Sequence, residues 1–194
     1  MFKSRTKRDQ SLTDEELVSA LQQEMDTERF AVLYDRYSTK VFQKCVGMTR
    51  DRELAKDLTH DIFLKAFLNL AKFDHRSKFG TWLYSITYNY CLDTLRKAKR
   101  HREEDIDERT ESDTPADEGN EAQLLGMQAE QLDHVLQCID PTDRAVLLMK
   151  YEDELSLKDM MDALSVSESA VKMRLMRARE RALAMYTELY PDEP

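Results

Sequence analysis

Glycine and proline are scarce in this chain, with four of each among 194 residues. These two residue types make up about 12% of an average protein and supply the turns that sandwiches and barrels require. Their scarcity disfavours all-β and collagen-like folds and predicts a protein built from helices. Hydrophobic residues form 41% of the chain, enough for a core. No run approaches the about 18 apolar residues of a membrane span, so we expect no membrane insertion.

Signals for helix starts support an all-α fold. Thr13-Asp14-Glu15-Glu16 and Ser156-Leu157-Lys158-Asp159 have the pattern of capping boxes, and Asp140-Pro141 places an N-cap before a proline. Apolar residues recur at every third or fourth position after these signals, as in amphipathic helices. We predict further helices from about residues 28, 52, 80, 124 and 168, and no strand. Twelve of the 16 aromatic residues lie between Phe30 and Tyr90, which indicates the core of an N-terminal domain.

The net charge of −9 is spread unevenly. Residues 1–100 carry a net charge of +5, residues 101–122 of −8 and residues 123–194 of −6. The middle segment contains too few apolar residues to offset the entropy of ordering it. It is either a plain solvated spacer or a mimic of a phosphate backbone that enters a basic channel of a partner. The predicted organisation is a disordered tail (1–11), a helical domain (12–100), a flexible acidic linker (101–122) and a second helical domain (123–190).

The second domain has the spacing of a helix-turn-helix. A short capped helix, the turn Ser165-Val166-Ser167 and a longer helix follow one another, and five of the ten residues from Lys172 to Arg181 are basic. One face of the long helix is apolar and is expected to pack inward: Val171, Leu175, Ala178 and Ala182. A helix that reads a DNA groove contacts bases with its outer N-terminal face and phosphates with its flanks; an ordinary solvated amphipathic helix would have a similar pattern. The candidate DNA-binding residues are Ser169, Lys172, Met173, Arg174, Met176, Arg177 and Arg179.

A second candidate DNA-binding stretch lies in the N-terminal domain, where a polar loop leads into a helix with a basic end. Aromatic and basic residues alternate there, and this pattern suits single-stranded DNA because rings stack on bases while cations follow the backbone. A loop of this kind could hold an unstacked base. Core packing of Trp82 and complementation of the helix dipole by the basic end are the alternative interpretations. The candidates are Phe73, Asp74, His75, Arg76, Ser77 and Lys78 in the loop, and Ser85, Asn89, Arg96, Lys99 and Arg100 on the helix.

Taken in this order and spacing, these stretches resemble the extracytoplasmic-function (ECF, group 4) sigma factors of the bacterial sigma-70 family, over about residues 12–100 and 125–188. Four runs carry the resemblance: DLTHDIFLKAF (57–67) to region 2.2, residues 73–83 to region 2.3, residues 81–86 and 89–100 to region 2.4, and SVSESAVKMRL (165–175) to the region 4 recognition motif. Ser165 stands where the family usually has glycine, and His60 where it usually has glutamine.

The resemblance implies a function and partners. A sigma factor of this kind binds core RNA polymerase and directs promoter-specific initiation by recognising −10 and −35 elements, the loop and basic helix serving the −10 element and the long C-terminal helix the −35 element. It docks on the clamp helices of the largest (β′) subunit and near the β flap, and an anti-sigma factor commonly sequesters it. The residues that the resemblance assigns to the polymerase contact are Asp57, His60, Asp61 and Leu64. The acidic linker would thread the polymerase channels.

Other functions stay open at this point. A stand-alone helix-turn-helix transcriptional regulator would bind duplex DNA without polymerase, and an all-helical scaffold would not need DNA at all. No catalytic residue, cofactor or metal is expected, because the chain has no glycine-rich phosphate loop and no recognisable nucleophile–base motif. His134 and Cys138 lie four residues apart but lack further ligands for zinc. The three cysteines predict free thiols in a reducing cytosol, and the charged N-terminus predicts no signal peptide, so we expect a cytoplasmic protein.

Overall fold

The computed structural model describes residues 9–103 and 127–191, which form helices and no strand. The helices of the N-terminal half are α1 (Asp14–Gln23), α2 (Thr27–Thr49), α3 (Arg52–Asn69) and α4 (Phe79–Glu103), with a 3₁₀ turn at Leu70–Lys72 after α3. The C-terminal half contains α5 (Ala129–Cys138), α6 (Pro141–Leu147), which continues as a π-type turn over Leu148–Glu152, α7 (Leu157–Leu164) and α8 (Glu168–Leu189). The all-α prediction is confirmed. Across the described ranges, no helix is both long enough and apolar enough to cross a membrane.

The chain divides into two compact units, one built mainly from residues up to Cys91 and the other mainly from residues after it. α4 continues to Glu103, past the domain end predicted at residue 100. The rest of the predicted linker lies outside the described residues. At the other end, the tail predicted to reach residue 11 is ordered from Asp9 onward: the Asp9 carboxylate lies 3.6 Å from the Arg29 guanidinium. Residues 1–8 lie outside the described part.

Side-chain caps begin the helices where the sequence predicts them. The Thr13 hydroxyl accepts a hydrogen bond from the Glu16 N–H (3.2 Å), and the Glu16 carboxylate accepts one from the Thr13 N–H (2.7 Å). Ser156 and Asp159 form the same reciprocal box. α5 differs from the prediction, since it starts at Ala129 and not near residue 124. Gln128 is extended (φ −64°, ψ 147°) and forms a capping box with Gln131, which sets the start of this helix.

Polar contacts fasten α1 to α2 in the N-terminal unit. Asp14 accepts hydrogen bonds from the Arg36 guanidinium (2.6 Å) and from the Tyr37 hydroxyl. Burial and this carboxylate raise the pKa of Tyr37. Gly80, at the start of α4, lets the backbone approach Tyr37, because a Cβ at this position would lie 3.0 Å from the Tyr37 hydroxyl. The aromatic core predicted for this region therefore has a polar edge, where Asp14 joins the N-terminal end of α1 to α2.

Two of the three cysteines meet in this core although they are 46 residues apart. The Cys91 and Cys45 sulfurs are 3.8 Å apart, both are buried, and both are free thiols. The hydrogen bond to Cys45 and burial raise the pKa of Cys91. A protonated, buried thiol is a poor nucleophile. Cys138 is exposed in the C-terminal unit.

We expect a thiol reagent such as Ellman's reagent to modify one of the three cysteines quickly in the folded protein, since only Cys138 is exposed. Cys45 and Cys91 should react on the timescale of unfolding, because the reagent reaches them only when the core opens. Absorbance traces with and without denaturant measure both phases. The Cys138→Ser variant should lack the fast phase; a fast phase that remains in this variant would contradict the packing of the other two thiols.

The C-terminal unit packs α8 against α5 and α6 around buried apolar side chains. Val171, Leu175, Ala178 and Ala182 are all buried, so the predicted inward face of the long helix is confirmed. The turn before this helix depends on two serines. Ser165 ends α7 in the left-handed region (φ 53°, ψ 45°), and the Ser167 hydroxyl caps α8 by accepting a hydrogen bond from the Ala170 N–H (3.3 Å).

Replacing Ser165 by glycine should raise the free energy of unfolding by about 0.5–1 kcal/mol, because glycine adopts the left-handed region without the steric cost that a Cβ brings. Thermal and denaturant unfolding followed by circular dichroism measure the change. Ser167→Ala, two residues further on, provides a comparison in the opposite direction. It should lower the free energy of unfolding by about 1 kcal/mol, because the cap of α8 is lost. A destabilised Ser165→Gly variant would show that the turn does not depend on this backbone conformation.

Candidate nucleic-acid interface

The outer face of α8 presents polar and basic side chains to solvent along its first two turns. Ser169, Lys172, Met173 and Arg174 are exposed, with Met173 at 42%, and Met176 and Arg177 are half-buried. The Lys172 ammonium lies 2.6 Å from the Glu168 carboxylate and lowers the pKa of Glu168. An exposed ion pair of this kind contributes little to stability, so the lysine can exchange its partner for a DNA atom at small cost. The side chains predicted to read a DNA groove therefore lie on an exposed to half-buried face of α8.

Arg179 has a different environment from the one predicted. Its Nε donates a hydrogen bond to the Tyr151 hydroxyl (2.6 Å), and its guanidinium lies 5.7 Å from the centre of the Tyr151 ring. Arg181, one turn further from the N-terminus than Arg177, pairs with the buried Asp143 carboxylate at 2.9 Å. These two arginines brace α8 against α6 and the turn that follows it. Arg179 therefore has a structural role, and its contact with DNA stays a prediction.

The loop of residues 73–78 (the α3–α4 loop) exposes charged side chains over an aromatic floor. Asp74, His75, Arg76 and Lys78 are exposed and Ser77 is half-buried. The Asp74 carboxylate pairs with the Arg76 guanidinium (2.9 Å), and both side chains are largely in solvent. The loop thus presents charges of both signs and hydrogen-bonding groups of the kind that bind the edge of an unpaired base.

Phe73 forms the floor and is not one of the exposed groups. Its side chain is 3% exposed, and its ring centre lies 5.2 Å from that of Trp82 and 6.2 Å from that of Phe79. A buried ring cannot stack on a base, so the prediction of a direct DNA contact at Phe73 is corrected to support of the loop from below. Trp82, half-buried, packs on the same floor. Sequence pattern does not separate these cases, because an aromatic residue next to a polar loop suits either.

α4 carries the remaining candidates along its length. Asn89, Arg96 and Arg100 are exposed, and Arg96 is only loosely paired with Asp93 at 3.9 Å. The Ser85 hydroxyl donates to the Trp82 carbonyl (2.7 Å), so it is partly engaged within its own helix. The side chain of Lys99 lies outside the described part of the structure. The exposed Arg96 and Arg100 suit contacts with a DNA backbone.

α3 turns one face toward solvent on which polar and apolar residues mix. Asp57, His60, Asp61 and Leu64 are all exposed, Leu64 to 58%. Asp61 also accepts a hydrogen bond from the Tyr90 hydroxyl (3.0 Å), which ties α3 to α4. Leu68, one turn beyond Leu64, is 69% exposed and extends the apolar part of this face. Solvent-exposed leucines grouped on one helix face are typical of a protein-binding surface.

Sequence reasoning missed two residues of these surfaces. Leu68 could have been found, since it lies four positions after Leu64 on the same helix. Gln22 could not: it contacts the α3–α4 loop from α1, and nothing in the local pattern separates it from Gln23. The His134 Nδ1 lies 3.0 Å from the Tyr190 hydroxyl. Within residues 9–103 and 127–191, no group of three or more His, Cys, Asp or Glu side chains could hold a metal ion.

Comparison with protein families matches both halves of the chain. The model of Sigma-70 region 2 matches residues 33–101, and the model of Sigma-70 region 4 matches residues 129–181. The first range includes the exposed face of α3, the α3–α4 loop and most of α4; the second includes the helix-turn-helix. α1 precedes both matches.

Individual proteins give the same result. The ECF RNA polymerase sigma factor SigW of Bacillus subtilis is 32% identical over 169 residues, which cover 80% of this chain and 87% of that protein. SigM of the same organism, also an ECF RNA polymerase sigma factor, is 29% identical over 174 residues, covering 83% and 97%. Among solved structures, CnrH in complex with the cytosolic domain of CnrY aligns with a TM-score of 0.62 at 21% identity, over 93% of this chain and 99% of that one. The sigma factor RpoE in complex with the anti-sigma factor NepR from Bartonella quintana aligns with a TM-score of 0.59 at 19% identity, over 84% and 98%.

Proposed function

The chain belongs to the ECF RNA polymerase sigma factors of the sigma-70 family, and from this premise we propose which of its surfaces bind core polymerase and which read promoter DNA. As a sigma factor it directs transcription initiation. We infer that the outer face of α8 reads the −35 element, that the α3–α4 loop and α4 engage the melted −10 element, and that the exposed face of α3 docks on the β′ clamp helices.

The difference between the two sides of α8 is the main support for its proposed role. The apolar side of this helix is fully covered by its own unit, whereas Lys172, Met173 and Arg174 stand in solvent on the other side. A lysine or arginine can bond to guanine edges in the major groove, and a methionine can make apolar contact with a thymine methyl group. The helix N-terminus, joined to α7 by the short turn at residues 165–167, is the end that a helix-turn-helix inserts into the groove.

The −10 element has a different requirement. Melting exposes unstacked bases, and a protein captures such a base in a pocket lined by polar and aromatic groups. The α3–α4 loop supplies the polar groups Asp74, His75 and Arg76 above the rings of Phe73 and Trp82. The exposed Arg96 and Arg100 of α4 would follow the sugar–phosphate backbone.

The partners follow from the same role. Core polymerase supplies the catalysis, so the protein needs no catalytic residues of its own, and it acts in the cytoplasm with the polymerase. The C-terminal unit docks near the β flap, and the acidic linker threads the polymerase channels.

Because structures of similar fold were solved in complexes with an anti-sigma factor, NepR, and with the cytosolic domain of CnrY, we expect an anti-sigma factor to sequester this protein too.

Reconstituted transcription tests the proposal. Core polymerase with this protein should start at a small set of genomic sites whose aligned upstream DNA contains two conserved elements. A start-site distribution equal to that of core alone would overturn the proposal. A gel shift with free protein separates it from a stand-alone helix-turn-helix regulator, which binds duplex DNA tightly without polymerase. The family matches to both halves of the chain do not favour that alternative.

A further inference from the structure

We propose that Gln22, at the C-terminal end of α1, is a positioning residue for −10 recognition. Its side-chain amide holds the α3–α4 loop in the conformation that receives the base. The inference rests on the proposed function of that loop, and it adds a residue that lies before the part of the chain matched by the region 2 model.

The amide nitrogen of Gln22 makes two hydrogen bonds to the backbone where the loop begins. Nε2 donates to the carbonyl of Leu70 at 3.0 Å and to the carbonyl of Phe73 at 2.7 Å. An amide nitrogen has two hydrogens, so both are used. These carbonyls begin and follow the 3₁₀ turn at Leu70–Lys72, where the chain leaves α3. The contact therefore fixes the direction in which the loop starts.

The amide oxygen of Gln22 makes a third contact, within the loop itself. Since Nε2 is the donor, Oε1 can only accept, and His75 Nε2, 3.0 Å away, must carry the hydrogen. The backbone of His75 has a positive φ of 58°. A residue with a Cβ keeps this conformation only when the surrounding structure enforces it. Its ring also packs on Phe73, with 4.7 Å between ring centres. Gln22 and Phe73 together hold His75 in this conformation.

The consequence is a loop that is ordered before DNA arrives. The hydrogen bonds and the ion pair of Asp74, Arg76 and Ser77 are local, to residues within two positions. Long-range order at this end of the loop comes from Gln22 and from the buried ring of Phe73. Fixing a binding loop in advance lowers the entropy cost of capture. Gln22 touches no DNA group in this scheme and acts through the backbone of the loop.

The test compares Gln22→Glu with Gln23→Glu in the reconstituted holoenzyme. Glutamate has nearly the shape of glutamine but cannot donate, so in Gln22→Glu an oxygen faces the two carbonyls. Gln23 is exposed on the same helix, and its replacement adds the same charge. Open-complex formation is measured on a mapped promoter, on a copy with an altered −10 element and on a copy with an altered −35 element. Binding to core polymerase is measured separately.

Gln22→Glu should reduce discrimination between the native and altered −10 elements about tenfold, the effect of losing one to two net hydrogen bonds. Discrimination at −35 and core binding should match the wild type, as should all properties of Gln23→Glu. Trypsin should also cleave after Arg76 and Lys78 several times faster in Gln22→Glu. Gln22→Ala, which removes the donors without placing charge against the carbonyls, should show the same pattern.

Two results would overturn the inference. One is unchanged −10 discrimination in both Gln22 variants. The other is an equal loss of −10 discrimination, −35 discrimination and core binding, which would show that Gln22 only stabilises the unit. If the wild-type holoenzyme does not discriminate between the native and altered −10 elements, the proposed function of the loop is wrong, and this inference is wrong with it.

Discussion

Replacing Leu64 by aspartate should lower the affinity for core RNA polymerase by about 2–4 kcal/mol, or about thirtyfold to a thousandfold. Leu64 is 58% exposed in the free protein, on the α3 face that we propose docks on the clamp helices. An aspartate there removes apolar contact area and places an unpaired carboxylate in a desolvated interface, which is costly. Because the side chain lies outside the core, the free energy of unfolding should change by no more than about 0.5 kcal/mol. Titration of labelled core polymerase and thermal unfolding measure the two quantities.

Met25→Asp is the matched control for Leu64→Asp. Met25 is an exposed apolar residue between α1 and α2, outside the α3 face, and its replacement adds the same charge to the same unit. It should leave core binding unchanged. If Leu64→Asp binds core polymerase as tightly as the wild type, α3 does not dock on the polymerase through this face. Leu68→Asp, one turn further on, should repeat the effect if the apolar face extends to Leu68.

Replacing Lys172 by alanine should weaken initiation at promoters that depend on a −35 element by about 1–3 kcal/mol, or about fivefold to 150-fold. The ammonium group is exposed and near the N-terminus of α8, where a groove-reading helix contacts bases. Its contact in the free protein, the ion pair with Glu168, is solvent-exposed and contributes little to folding. Transcription from a native promoter, compared with one lacking the −35 element, measures the effect.

Two controls separate DNA recognition from folding. Glu168→Ala removes the same ion pair but keeps the lysine, so it should retain −35 recognition. On the promoter without a −35 element, Lys172→Ala should perform as the wild type does. If Lys172→Ala lowers transcription equally on both promoters, the lysine does not read the −35 element.

Local signals predicted much of the fold because each depends on residues within about four positions. The capping boxes at Thr13 and Ser156 and the N-cap at Asp140 start helices as expected. The apolar spacing of Val171, Leu175, Ala178 and Ala182 predicted the buried face of α8, and the opposite face of the same helix followed from it. The resemblance to ECF sigma factors, confirmed by both Sigma-70 family models and by the identity with SigW, rests on runs of this local kind.

Local pattern predicted poorly which polar and aromatic residues of a candidate surface face solvent. Phe73 and Arg179 have the residue types expected of a nucleic-acid contact, yet one is buried and the other is bonded to Tyr151. The burial of Phe73 and the hydrogen bond of Arg179 both depend on how the helices pack, and the spacing of residues along one helix does not reveal that packing. An aromatic or an arginine next to a surface can serve either purpose until that packing is known.

The amino-acid sequence by itself determined the helices, their capped starts, the inward face of α8 and the family to which the chain belongs, because these follow from interactions along one helix and from the order of runs in the chain. Only the tertiary structure decided that Gln22 reaches carbonyls 48 and 51 residues away, that Cys45 meets Cys91, and that Arg179 braces α8. The physical reason is that a hydrogen bond needs its two atoms within about 3 Å, and packing between helices, not spacing within one, brings such atoms together.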